Sequence, residues 1–267
     1  APESLMYYLK TAYWKEPFSG GDGILLRKAI CYALNRTEMV EGAFNGYALP
    51  ATDAMLLSPL RSDSPQCCHR GYDYDLDLAK KLLAGAGWND TDGDGILDKS
   101  GKSLRNLDFV ITSAAELNWQ KDLAVVVQSQ LKKIGIDVQI HTLESNDYYQ
   151  MVKTGNFDMH MSYNAGSSSS AKELQYGFNK KGHGINGYSN QNRTLEIIVE
   201  NAHAALSTEE RDKYVCRACN ILYEEAGIIP LVYEMQYAVM NCNVKGFQFG
   251  PSHSAYFMGH VEECWVE

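Results

Sequence analysis

The chain has 267 residues, which fits one large or two medium domains. Hydrophobic residues make up 45% and charged residues 21%, an ordinary globular balance, and no apolar run approaches the ~20 residues of a membrane helix. A net charge of −9, with no basic stripe, excludes an electrostatic nucleic-acid binder.

The opening "APESLMYYLK" has neither the basic nor the apolar region of a leader; a mature or trimmed exported chain would read the same. "SLMYYLKTAY" is rich in aromatics and predicts a strand. "GILLRKAICYALNR" places Ile24, Arg27, Ile30, Ala33 and Leu34 at helical spacing. Thr37 is expected to cap a short second helix, Glu38 to Phe44. Residues 47–74 carry Pro50, Pro59 and Pro65 with little periodicity and predict a long irregular segment. Asp75 then caps a helix with Leu78, Ala79, Leu82, Leu83 and Ala86 on one face, ended by Gly87.

In "GWNDTDGDGILDKSG", Asp90, Asp92 and Asp94 alternate, and Gly95 and Asp98 follow as in the calcium loop of an EF-hand. The bidentate Glu of that loop is replaced by Gly101, and a helix is predicted on one side only. Asp90, Asp92, Asp94, Asp98 and the Ile96 carbonyl could surround one calcium ion. Alternatively, the Asp side chains cap their own turns.

A regular βαβαβ pattern follows. "LDFVIT" (107–112) predicts a strand, and Trp119, Leu123, Val126, Val127, Leu131 and Ile134 form a helix stripe. "IDVQIH" alternates, Asn146 to Thr154 predicts a short helix, and "FDMHMS" alternates again. Right-handed crossovers make these three strands parallel neighbours. His141 and His160 fall on the polar sides of neighbouring strands with no third metal ligand evident, so a helix-covered or solvated position is expected for both.

Residues 164–191 are polar and rich in Gly and Ser, and they follow a strand's C-terminal end, where open α/β sheets bind ligands. Tyr163, Tyr176 and Tyr188 flank this segment and could form aromatic walls, although 17 tyrosines make some proximity fortuitous. Two helices follow, one marked by Leu195, Ile198, Val199, Ala202 and Leu206, the other by Tyr214, Ala218, Ile221 and Leu222, starting near Thr208. "IIPLVYEMQYAVMN" predicts two short strands. Seven cysteines leave at least one unpaired within the chain. "QCCHRG" and "VCRACN" could supply zinc ligands or be disulfide partners; the helical setting of the CxxC weakens the metal reading. No GxSxG, HExxH or Walker loop supports catalysis, and the sequential pair Cys68–His69 is a poor catalytic dyad. Asn35, Asn89 and Asn192 head sequons that matter only in a eukaryotic secretory host.

Six stretches, in order, resemble the family-5 extracellular solute-binding proteins of ABC importers, which bind dipeptides, oligopeptides or nickel. They are "LRKAICYALNRTEMVEGAFNGYALPAT", "YDYDLDLAKKLLAGAGWNDTDGDGILDKSGK", "WQKDLAVVVQSQLKKIGIDVQIHTLES", "YYQMVKTGNFDMHMS", "GYSNQ" and "AGIIPLVYEMQYAVMNCNVKGF". The resemblance implies an α/β lobe of the type II periplasmic-binding-protein kind, with a mixed sheet, a βαβαβ core and flanking helices. It implies the C-terminal lobe alone of a two-lobed clamshell: residues 1–240 as the lobe proper and 241–267 returning towards a missing N-terminal lobe. It further implies capture of a peptide-like solute, docking on an ABC permease, and a periplasmic or extracellular location with a lipoprotein anchor.

In the family's peptide binders a Trp and an Asp follow the strand similar to "FDMHMS", and the Asp holds the ligand's amino terminus. Here Asn164 and Ser167 stand near those positions, with Ser168 beside them, so the acidic clamp is absent. Their side chains can still hydrogen-bond a peptide, sugar or chelate, or form a plain polar loop. His183 falls near the loop from which nickel binders reach the metal, and an exposed loop histidine is the simpler reading. A nickel or metal-chelate receptor is the first alternative; a calcium-dependent structural module or an unrecognised hydrolase is the second.

Overall fold

The computed structural model describes residues 2–53, 65–68, 70–113, 119–164, 171, 174, 192–235, 240–247 and 263–266. Strand β1 (Pro2–Thr11) leads into helices α1 (Gly20–Ala33) and α2 (Arg36–Phe44). The cap of α2 is Asn35, not Thr37. Asn35 is extended, and its side chain accepts from the amides of Thr37 and Glu38, the second and third helical donors. The stretch expected to be irregular contains a short strand, β2 (Ala48–Pro50), and a 3-10 turn at Gln66–Cys68. Helix α3 (Leu76–Gly85) is capped as expected, by Asp75 accepting from the Leu78 amide. The chain leaves it through Gly87 at φ +82, where a side chain would be strained.

After a small hairpin, β3 (Asp98–Lys99) and β4 (Lys102–Ser103), comes the expected βαβαβ unit. It comprises β5 (Leu107–Thr112), α4 (Trp119–Lys132), β6 (Val138–Leu143), α5 (Ser145–Thr154) and β7 (Met159–Asn164). Helix α6 (Arg193–Ala204) is capped by Asn192, and α7 (Thr208–Glu225) by Ser207. Leu206, placed on the α6 stripe by sequence, lies beyond the end of that helix and is 99% exposed. Of the two strands expected in "IIPLVYEMQYAVMN", the described part is one continuous strand, β8 (Ile229–Met235). Strands β9 (Val244–Lys245) and β10 (Trp265–Val266) pair with each other in a separate ribbon.

The main sheet has the order β2-β8-β1-β7-β5-β6. Strand β5 pairs in parallel with both β6 and β7, so the three expected parallel strands are neighbours with β5 in the middle, while β1 runs antiparallel to β7 and β8. Side chains alternate between the two faces of the sheet, which carry three packed clusters among the described residues. Tyr7 and Leu9 of β1, Phe109 and Ile111 of β5, and Met159 and Met161 of β7 join the first core, with residues of α1 to α4. Met6 and Tyr8 turn to the second, under α6 and α7; Val110 turns to a third patch under α5, with Tyr148, Val152 and Phe157. Covering both faces explains why "LDFVIT" reads as nearly continuous apolar sequence.

Two buried arginines tie loop ends to this frame. Arg36 donates to the carbonyls of Cys31 and Leu34 at 2.8 Å, Pro230 at 3.0 Å and Tyr72 at 3.2 Å. Arg27 donates to the Glu225 carbonyl at 2.5 and 3.1 Å and the Ala226 carbonyl at 3.3 Å, capping the end of α7, and also to Phe18.

Both dense cysteine spots are used as disulfides. Cys67 bonds Cys216 and Cys68 bonds Cys219, across 149 and 151 residues. Cys216 and Cys219 lie three residues apart on α7, so both face the 3-10 turn. A single bridge over such a loop is worth about 5 kcal/mol in chain-entropy terms. Because the second closes almost the same loop, the two should be strongly non-additive. Removing either pair by serine substitution is expected to lower the urea midpoint slightly, and removing both to lower it far more. Equal, additive losses would contradict this account.

Candidate functional site

Strand pairing places one set of strand ends along a single edge. Thr112 of β5 is level with Leu143 of β6, Asn164 of β7 with Met6 of β1, and Glu234 of β8 with Ala48 of β2. This edge carries the C-terminal ends of the parallel strands, where crossing connections leave a crevice. Helix α4 starts here: Gln120 accepts from the Thr112 amide at 3.2 Å.

An aromatic cluster sits at this edge, with the Tyr7 ring buried in the first core and Tyr163 as its exposed member. Tyr7 contacts Trp119 at a ring-centroid distance of 3.6 Å, Phe44 at 6.1 Å and Tyr163 at 6.2 Å, and Phe44 lies 5.5 Å from Trp119. The Tyr7 hydroxyl donates to the Glu234 carboxylate. Tyr163 is 43% exposed and Glu234 is half-buried. The Oγ of Ser113, just past β5, is buried with no hydrogen-bond partner among the described residues. Flat apolar rings with one carboxylate and hydroxyls suit a ligand that has an apolar body and a cationic or hydrogen-bonding group.

Of the sequence-derived ligand residues, Tyr163 stands in this cluster and Asn164 ends β7 beside it. Ser167, Ser168, Tyr176 and His183 lie outside the described residues. Tyr7, Phe44, Trp119 and Glu234 were not singled out by sequence. Four separate segments supply them; Tyr7, Phe44 and Trp119 read locally as core patterning, and Glu234 reads as an ordinary half-exposed acid near a strand end.

The Asp-rich loop only partly assembles its expected ligand set. Carboxylate oxygens of Asp90, Asp92 and Asp94 lie within 4.8 Å of one another. Asp98 is not among them; it accepts from the Thr91 hydroxyl at 3.2 Å. Asp90 accepts from the amides of Gly93 and Gly95, Asp92 from Asp94, and Asp94 from Ile96, while Arg105 pairs with Asp94. The turns are thus closed by their own side chains. Ile96 is 5% exposed and helps anchor the loop in the first core.

The histidines take the expected helix-covered and solvated positions. Half-exposed His141 pairs with Asp108 on the adjacent strand at 3.0 Å. His160 is fully buried near the opposite edge, level with Lys10 of β1. Tyr148 donates its hydroxyl hydrogen to the Met161 carbonyl at 2.6 Å, so it accepts from Nδ1 of His160 at 3.0 Å. Nε2 then carries the lone pair, with no partner among the described residues. Burial pulls the His160 pKa down to about 3, with the Lys10 charge acting the same way and a backbone bond at Met161 opposing. Burial also lowers Lys10 to about 7.

Between pH 6.5 and 3 the unfolded chain therefore binds a proton at His160 that the native chain does not. Stability present above pH 6.5 should fall towards pH 3 by up to about 1.4 kcal/mol per pH unit. Lys10 acts with the same sign between pH 10.5 and 7. Urea unfolding across pH should show the acid slope in the wild type and a shallower one in His160→Gln. Identical slopes would remove His160 as its source.

A mixed sheet with a βαβαβ unit and helices packed on both faces is a fold shared with solved solute-binding proteins. The structure of NikA from Brucella suis in complex with Fe(III)-EDTA matches it at a TM-score of 0.83 and 20% identity, covering 98% of this chain and 51% of that one. The structure of AppA from Bacillus subtilis in complex with a nonapeptide matches at 0.77 and 24%, covering 100% and 51%. By sequence, the oligopeptide-binding protein AppA of Bacillus subtilis is 27% identical over 248 residues, covering 90% of this chain and 44% of its own length. The nickel-binding periplasmic protein of Escherichia coli is 30% identical over 161 residues, covering 59% and 28%. The family model described as bacterial extracellular solute-binding proteins, family 5 Middle, matches residues 1–186. The chain belongs to that family of extracellular solute-binding proteins. It spans less than half the length of these two curated relatives.

Proposed function

We propose that this chain is one lobe of an ABC-importer receptor, and that it captures a peptide-like solute at the C-terminal strand edge. The observation that carries the reading is the aromatic cluster of Tyr7, Phe44, Trp119 and Tyr163 with the Glu234 carboxylate at that edge. A second lobe completes the pocket, closure buries the ligand, and the closed form docks on a membrane permease. The receptor works outside the cytoplasm on a lipid anchor, and it binds without turnover. Glu234 takes the part of the acidic anchor that Ser167 cannot play.

A nickel-chelate ligand is the second reading, favoured by the relative named as a nickel-binding periplasmic protein. Calorimetry of the full-length receptor with a nonapeptide and with a nickel–histidine chelate separates the two. Peptide binding is expected, weakened about tenfold or more by Glu234→Gln. The 267-residue chain alone should bind the same peptide only weakly. Chelate binding without peptide binding would select the second reading, and tight peptide binding by the chain alone would overturn the two-lobe mechanism. Hydrolysis of the peptide during titration would show an enzyme instead.

We also propose that Asp90, Asp92 and Asp94 take one calcium ion as a structural addition to turns that close without it. Calcium should raise the melting temperature of the wild type and leave Asp92→Asn unchanged. An unchanged wild type would leave the loop as a self-capped turn.

A further inference from the structure

Two disulfides join the same two short segments. Cys67 and Cys68 are adjacent on the 3-10 turn, and Cys216 and Cys219 are three residues apart on α7. Once either bridge is closed, the other adds only a very small loop, so it constrains the unfolded chain little further. A second crosslink that nearly duplicates the first points to a use for four sulfurs that two would not serve.

The sulfur geometry indicates that use. The Sγ atoms of Cys67 and Cys68 are 3.8 Å apart. Zinc–sulfur bonds of about 2.3 Å in a tetrahedron place neighbouring sulfurs roughly 3.8 Å from each other, so the adjacent pair has the spacing of one edge of a zinc tetrathiolate. The C-x2-C spacing on α7 is itself a zinc-ligand spacing. Cys68 and Cys219 are 2% and 3% exposed, so part of the cluster is shielded from water. Cys216 borders an open hollow also lined by Glu209, Glu210, Asp212, Lys213 and Arg217. The acids give a cation an approach, and the basic side chains favour thiolates.

We propose that Cys67, Cys68, Cys216 and Cys219 form a zinc site when reduced and a double disulfide when oxidised. Two molecules of a dithiol reductant deliver four electrons and four protons to the two S–S bonds, becoming two cyclic disulfides and leaving four cysteine thiols. Zinc(II) then displaces four protons and forms four Zn–S bonds, with no change in its oxidation state. Either chemistry ties the 3-10 turn to α7. The assignment does not depend on the ligand proposed for the strand edge.

The test uses the 267-residue chain, reduced anaerobically with a dithiol, freed of excess reductant and titrated with cobalt(II) and then zinc(II). One equivalent of cobalt should give the visible bands of a tetrahedral thiolate site, and one equivalent of zinc should abolish them. The circular dichroism of the reduced zinc form should match that of the oxidised chain. Cys68→Ser with Cys219→Ser keeps the Cys67–Cys216 bridge, so it should fold when oxidised and show no tetrathiolate bands when reduced. Cys242→Ser with Cys264→Ser should behave as the wild type. The proposal is overturned by missing bands in the wild type, by bands that persist in the first variant or vanish in the second, or by a coil spectrum for the zinc form.

Discussion

The fold depends on the two-sided pairing of β1. Strand β1 lies between β8 and β7 and is hydrogen-bonded to both, so among the described strands it joins the β2-β8 pair to the parallel β7-β5-β6 group. Its side chains serve both faces: Tyr7 and Leu9 belong to one core, Met6 and Tyr8 to another. Polar substitutions here would disturb two packed interiors at once. Tyr7 also reaches the strand edge, so this constraint places an aromatic ring and the Glu234 carboxylate side by side.

Elements with a clean period were readable from sequence. "LDFVIT" is strand β5 to the residue, and the Asp75 cap falls where the pattern put it. The parallel pairing followed from the alternation of elements, whereas the order β7-β5-β6, with β5 in the middle, has no local signal. A local signal is ambiguous where it has a competitor. Asn35 and Thr37 are both acceptable caps, and Asn35 prevails because the chain is extended there; its amide also donates to Gln130 on α4 at 2.9 Å, a contact no local pattern reveals. Leu206 matches a helical stripe, but α6 ends at Ala204.

The candidate site was less readable than the scaffold, for a topological reason. Tyr7, Phe44, Trp119 and Glu234 come from β1, α2, α4 and β8, and each satisfies its own element's pattern. Only the sheet order brings them together. Tyr163 was found because it precedes a visibly unusual segment. The cysteine spots were visible as clusters, but their partnership required α7 to cross the 3-10 turn. The Asp-rich loop showed its side-chain chemistry in sequence, and the structure added the distinction between Asp98 and the other three carboxylates.

The position of β1 also orders events at the ribosome. The Tyr7–Glu234 contact spans 227 positions, and β7, the other neighbour of β1, is likewise distant in sequence. Because β1 precedes both of its partners in the chain, it emerges with both edges bare until β7 and then β8 have followed it. Unpaired, aromatic-rich strand edges are templates for wrong partners. The interval between the emergence of β1 and that of β7 and β8 is therefore when this sheet is most open to mispairing, and shortening that interval would protect it.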